Sequence, residues 1–132
     1  MDPSHITPHP EGWSPPLQLT ITEDSTADGT TVVHLAGEID LDEGAALEDV
    51  LTRALEARPS RLVVDMSGVG YCDSAGLNAL LKTRTAAAAA GVDLVVAGVG
   101  ERIGRLLWAT GTTDVFTITE TVEAALAHGQ EE

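Results

Sequence analysis

Apolar positions along this chain change their period several times, and each change marks an element. Leu17-Gln18-Leu19-Thr20-Ile21 alternates with period two, as a half-buried strand does. Ala27-Asp28-Gly29 is a turn signal, and residues 31–36 form a second strand, so the two predict an antiparallel hairpin. Gly37-Glu38-Ile39-Asp40 follows as a loop or short strand. Leu47, Val50, Leu51, Ala54 and Leu55 then recur at helical spacing and make one apolar stripe. Asp42 and Glu43 occupy the first turn of that helix, where its dipole favours acids, and Arg58-Pro59 ends it.

Residues 61–65 carry a continuous apolar centre, typical of a strand covered on both faces. A Gly-punctuated loop leads from it to Asp73-Ser74-Ala75-Gly76, and a second helix runs from there to Ala90, closed by Gly91. Leu94-Val95-Val96-Ala97 is another buried strand. A short helix over 101–109 follows, broken at Thr110-Gly111, then a strand over 115–118 and a last helix reaching Ala127. Alternating strands and helices with short connections predict an α/β domain whose sheet is mixed but mostly parallel, with about five strands and four helices. The domain is expected over 17–128, after a disordered Pro-rich tail at 1–16 and before a polar end at 129–132.

Composition narrows the functions. Seven Lys and Arg against 21 Asp and Glu leave a net charge of −14. That argues against direct binding to nucleic acid or anionic membrane, which both require cationic surface. One cysteine, Cys72, allows no internal disulfide and fits a reducing compartment. There is no secretory signal pattern, and the longest apolar run, 85–100, is broken by Gly91 and Asp93, so a cytoplasmic protein is expected.

The residue with the most open chemistry is Ser74, a hydroxyl at the start of a helix. It can be a helix cap, a nucleophile or a modification site. The hydrolase elbow needs glycine two residues before the serine, where Cys72 stands, and no histidine is placed to serve as base, so catalysis is disfavoured. Gly98-Val99-Gly100 lacks the third glycine of a dinucleotide fingerprint, and His5 with His9 lacks metal partners. No cofactor and no metal are therefore expected. His34 reads as a strand residue, Cys72 as loop packing, and Trp108 beside Leu106-Leu107 as core or edge packing.

Four segments then resemble, in order, the STAS-domain anti-sigma factor antagonists of bacteria. These are residues 32–40 ending in Gly37-Glu38-Ile39-Asp40, residues 62–69, the run Tyr71-Cys72-Asp73-Ser74-Ala75-Gly76-Leu77, and Leu106-Leu107 with Thr110-Gly111. The resemblance covers about Leu17 to Ala127 and implies a STAS fold and a non-enzymatic binding module. It implies that the unphosphorylated chain binds an anti-sigma factor, itself a serine kinase, and thereby releases a sigma factor. Phosphorylation of Ser74 would end that binding and a metal-dependent serine phosphatase would restore it. Gly37, Glu38, Ile39, Asp40, Asp73, Ala75 and Gly76 would then lie with Ser74 on the partner-binding face. Ala75 departs from the family pattern, in which many members carry a second hydroxyl, and Cys72 replaces a usually apolar residue. A STAS scaffold in another stress-signalling complex, or a constitutive binder, is the alternative. An anion-transporter STAS domain is not expected, because no membrane segments precede the chain.

Overall fold

The computed structural model describes residues 18–127, so the tail at 1–16, Leu17 and residues 128–132 lie outside the described residues. Five strands form one sheet in the order β1-β2-β3-β4-β5: Thr20–Ser25, Thr30–Ile39, Arg61–Cys72, Asp93–Ala97 and Thr117–Thr119. The helices are α1 (Leu41–Glu56), α2 (Ser74–Ala90), α3 (Glu101–Ala109) and α4 (Val122–Ala127). β1 and β2 pair antiparallel, with Ile21 opposite Leu35, and all other pairings are parallel. The hairpin closes over 26–29, where Gly29 adopts φ +90°.

Alternation along the strands sorts their side chains to two faces. Val33, Leu35, Leu62, Val64, Met66 and Val96 meet the buried stripes of α1, α2 and α3, namely Leu47 and Leu51, Leu77 and Leu80, and Ile103 and Leu107. The opposite face is thinner: Val32, Val63, Val95 and Ala97 are covered by Ala125, Val122 and Leu126 of α4. Arg61 holds α4 in place. Its guanidinium donates to the Ala125 and Leu126 carbonyls at 3.2 Å each and to Asp93 Oδ2 at 2.9 Å, satisfying orphan carbonyls at a helix C-terminus. Beyond α4, the same face carries a polar clip across three strands. His34 on β2 contacts Asp65 on β3 (Nδ1 to Oδ2, 2.7 Å) and Asp24 on β1 (Nε2 to Oδ2, 3.0 Å), and Asp65 also accepts from the Ser67 N–H at 3.0 Å.

The expected strand–helix order holds, with four local corrections. β1 covers Thr20–Ser25, further along than the alternation at 17–21 indicates. Of the two readings of Gly37-Glu38-Ile39 the strand holds, as the end of β2, whereas Ser67-Gly68-Val69-Gly70 is part of β3, so the loop read after Asp65 is strand as far as Cys72. The glycines serve the pairing. A Cβ on Gly68 would lie 2.9 Å from both Ala36 Cβ and the Leu35 carbonyl, beside a register shift between His34 and Ala36. Near the C-terminus a single 3-10 turn, Thr113–Val115, displaces β5 to Thr117–Thr119. Finally, Trp108 is 79% exposed, not packed.

β3 pairs with β4 only as far as Asp65 opposite Ala97, whereas its pairing with β2 continues to Cys72. More than half of β3, from Met66 to Cys72, thus overhangs the sheet with a strand on one side only. α2 starts from the tip of that overhang.

Candidate functional site

The paired ends of β2 and β3 bring the two predicted segments together. Glu38 lies opposite Tyr71 and Ile39 opposite Cys72, and the Asp73 N–H donates to the Ile39 carbonyl at 3.0 Å. Each strand then turns directly into a helix, α1 after Asp40 and α2 after Asp73. Both helix N-termini therefore open on the same edge, where unpaired N–H groups and dipoles concentrate positive character. Each cap is an aspartate. Asp40 accepts from the Asp42 N–H at 3.1 Å; Asp73 Oδ1 accepts from the Ala75 N–H at 2.9 Å and the Gly76 N–H at 3.4 Å.

The cap of α2 is thus Asp73, and Ser74 is the first residue inside the helix. Its side chain is exposed. That separates the two roles the sequence left superposed on one turn: capping falls to the carboxylate and the hydroxyl is left over for outside chemistry. A second consequence of the geometry is steric. A Cβ on Gly76 would stand 2.5 Å from Cys72 Sγ and 2.7 Å from Ile39 Cγ2, so only glycine lets α2 lie this close to the strand ends. Gly37 adopts φ +115° and would meet the Gln18 carbonyl at 2.5 Å, so it too is required as glycine.

One contributor escaped the sequence reading. Gly44, in the first turn of α1, approaches α2 so closely that a Cβ there would lie 3.0 Å from Ala75 Cβ. It sets the spacing of the two helix starts. A glycine inside an otherwise helical pattern is the signal that could have found it.

Electrostatically the edge is acidic. Glu38, Asp40, Asp42, Glu43 and Asp73 stand on the segments that frame Ser74. The Glu43 carboxyl is raised above its ordinary range, chiefly by its hydrogen bond to Asp40 and then by burial and by the Asp40 charge; the same hydrogen bond lowers Asp40. The cations nearest to Ser74 in sequence are engaged elsewhere: Lys82 reaches Glu48 at 3.4 Å and Arg84 donates to the Val115 carbonyl at 2.8 Å. Cys72 is buried, with its thiol pushed up to about 11 by desolvation and by the Asp73 charge, so it is a neutral packing group at physiological pH. Among the described residues no histidine contacts Ser74: His34, the one histidine among them, is committed to Asp65 and Asp24. Among the described residues no cluster of His, Cys, Asp and Glu is arranged to hold a metal ion, and no helix is long and apolar enough to cross a membrane.

Comparison with known proteins places this geometry. The STAS domain family profile matches residues 22–125. The anti-sigma-B factor antagonist of Staphylococcus aureus is 34% identical over 101 residues, covering 76% of this chain and 94% of the relative. An anti-sigma factor antagonist from Mycobacterium paratuberculosis superimposes with a TM-score of 0.76 at 28% identity, covering 87% of this chain and 97% of that one. The anti-sigma factor antagonist SpoIIAA in its unphosphorylated form shares the fold, with a TM-score of 0.73 at 14% identity over 86% of this chain and 98% of that one. An acidic edge where two capped helices begin at the tips of adjacent parallel strands is, in this chain, the edge of a STAS domain, and the chain belongs to the STAS domain family alongside the anti-sigma factor antagonists.

Proposed function

We propose that this chain is a non-enzymatic anti-sigma factor antagonist in which phosphorylation of Ser74 is the off-switch. The unmodified edge, formed by Gly37, Glu38, Ile39 and Asp40 with Asp73, Ser74, Ala75 and Gly76, docks on an anti-sigma factor that is also a serine kinase. Docking frees a sigma factor. Transfer of a phosphoryl group to Ser74 ends the contact, and a metal-dependent serine phosphatase resets the chain.

The observation that carries this reading is the exposed Ser74 hydroxyl on the first turn of α2, capped independently by Asp73 and framed by acids. A phosphate there brings about −1.5 to −2 charge at neutral pH. The helix N-terminus tolerates that charge, so the domain stays folded. The neighbouring cations, held by Glu48 and the Val115 carbonyl, do not absorb it. The charge consequently acts outward, on a partner surface that must be cationic to complement the unmodified edge.

The test is to incubate the chain with candidate anti-sigma factor kinases and ATP, then measure intact mass, the modified site and affinity. The expected result is one phosphate on Ser74, none on Ser74→Ala, and binding at least about tenfold weaker once phosphorylated, as expected when like charge replaces a complementary contact. Binding with no mass gain would show a constitutive module instead. Ester turnover lost in Ser74→Ala would show a hydrolase.

A further inference from the structure

The outer face of α3 has a character unlike the rest of the molecule. Each helical residue advances about 100° around the axis. Trp108, Glu101, Arg105, Ala109 and Arg102 therefore fall on one arc centred on Arg105, opposite the buried Ile103 and Leu107. All five are exposed. Trp108 stands out, with 79% of its surface open, in a chain that has only two tryptophans.

The two arginines have little to do inside the fold. Arg105 reaches Glu101 at 3.4 Å, but the two side chains are 68% and 88% exposed, a geometry worth little in water. Arg102 has no hydrogen-bond or ion-pair partner among the described residues. It also sits in the first turn of α3, where the helix dipole disfavours a cation. Nor are the arginines needed at the helix C-terminus. Thr110 Oγ1 donates to the Leu106 carbonyl at 2.8 Å and Thr112 Oγ1 to the Leu107 carbonyl at 3.1 Å. The chain thus spends two of its seven cations, beside an exposed indole, where folding gains nothing from them.

We propose that the outer face of α3 is a second docking surface, whose occupant is an acidic peptide segment of another protein carrying apolar side chains. The arginines would take its carboxylates, and Trp108 would cover its apolar groups, as buried tryptophan and arginine anchors do at interfaces. Charge sets the assignment. The chain carries −14 overall, so an acidic partner is repelled over most of its surface and is drawn here, where Arg102 has no partner among the described residues and Arg105 only a solvent-exposed one. A basic partner has the Ser74 edge, with its five acids, as the better site. This surface is independent of the switch reading, and the two stand or fall separately.

The test uses the full chain with Trp13→Phe, so that Trp108 is the one remaining tryptophan. A synthetic peptide of alternating Glu and Leu is the probe, and its Lys-for-Glu counterpart is the control. The expected result is a saturable blue shift of Trp108 emission with the Glu peptide. It weakens as salt shortens the screening length, disappears in Arg102→Glu/Arg105→Glu, and persists in Ser74→Ala. Charge reversal at these exposed sites leaves circular dichroism and thermal midpoint unchanged, so loss of the shift reports the surface and not the fold. No shift with the Glu peptide, or an equal shift with the Lys peptide, overturns the proposal. A concentration-dependent shift of the protein alone, with a dimer in sedimentation, also overturns it, because the occupant is then a second copy.

Discussion

Replacing glycine by alanine in two helices of this chain should move stability in opposite directions, and the structure sets both magnitudes. At Gly76 the new Cβ would stand 2.5 Å from Cys72 Sγ and 2.7 Å from Ile39 Cγ2. Ordinary contacts of this kind lie near 3.5–4.0 Å, so each overlap is about 1 Å. Neither neighbour has room to yield, since Ile39 is fully buried and Cys72 nearly so. Overpacking of this sort costs about 1–3 kcal/mol, from which alanine's better helix propensity subtracts about 1 kcal/mol. Two such overlaps against buried neighbours put the cost in the upper part of that range, so the net expectation for Gly76→Ala is a loss of about 1–2 kcal/mol, or roughly 3–10 °C in thermal midpoint for a domain of this size. At Gly104, inside α3, the added Cβ would meet only Val99 Cγ1 at 3.9 Å, and φ is not positive. There the helix propensity is uncompensated, and Gly104→Ala should gain about 0.5–1 kcal/mol. Urea titration with circular dichroism measures both. Cys72→Ala added to Gly76→Ala should recover part of the loss, because it removes the closer clash and leaves the one with Ile39. A Gly76→Ala protein as stable as the parent, or a double variant with no recovery, would refute the steric account.

Asp73→Ala removes the acceptor of the Ala75 and Gly76 N–H groups and should cost about 0.5–2 kcal/mol in the same assay, while Asp73→Asn keeps most of the cap. Asp65→Ala removes the carboxylate that faces His34 Nδ1 and accepts from the Ser67 N–H, leaving His34 only Asp24, and should cost about 1–3 kcal/mol by urea midpoint. Cys72 holds its proton in the folded chain to about pH 11, against 9.0 ordinarily. The unfolded chain loses that proton first, so the contribution of Cys72 is unchanged below about pH 9 and stability falls as pH rises from there towards 11. Cys72→Ala should flatten that alkaline limb in a pH series of thermal melts.

Local apolar patterning was most informative where an element buries one face as a stripe or both faces as a continuous run. The stripe of Leu47, Leu51 and Leu55 located α1, and the run Leu94 to Ala97 located β4. It failed where tertiary approach chooses the residue. Gly68 and Gly70 read as loop punctuation, but Gly68 is glycine because Ala36 on the adjacent strand leaves no room for a Cβ. Trp108 follows two leucines and so read as packing, although about 100° of helical rotation after Leu107 is enough to carry it outward. At the candidate site, the Asp73–Ser74 turn was legible as chemistry, and its pairing with Gly37–Asp40 came from family resemblance. The division of cap from hydroxyl required coordinates, because Asp and Ser cap equally well.

The overhang of β3 bears on how the site opens. Beyond Asp65 the strand is paired with β2 and no longer with β4, while residues 61–65 are held by neighbours on both sides. Opening free energies vary along a protein, and a segment laddered on one side is released at lower cost than one laddered on both. The turn bearing Ser74 can thus breathe with the tips of β2 and β3 while the Val63–Val95 centre of the sheet stays shut. Amide hydrogen exchange would divide β3 near Asp65, with a slow half anchoring the domain and a faster half carrying the turn that bears Ser74.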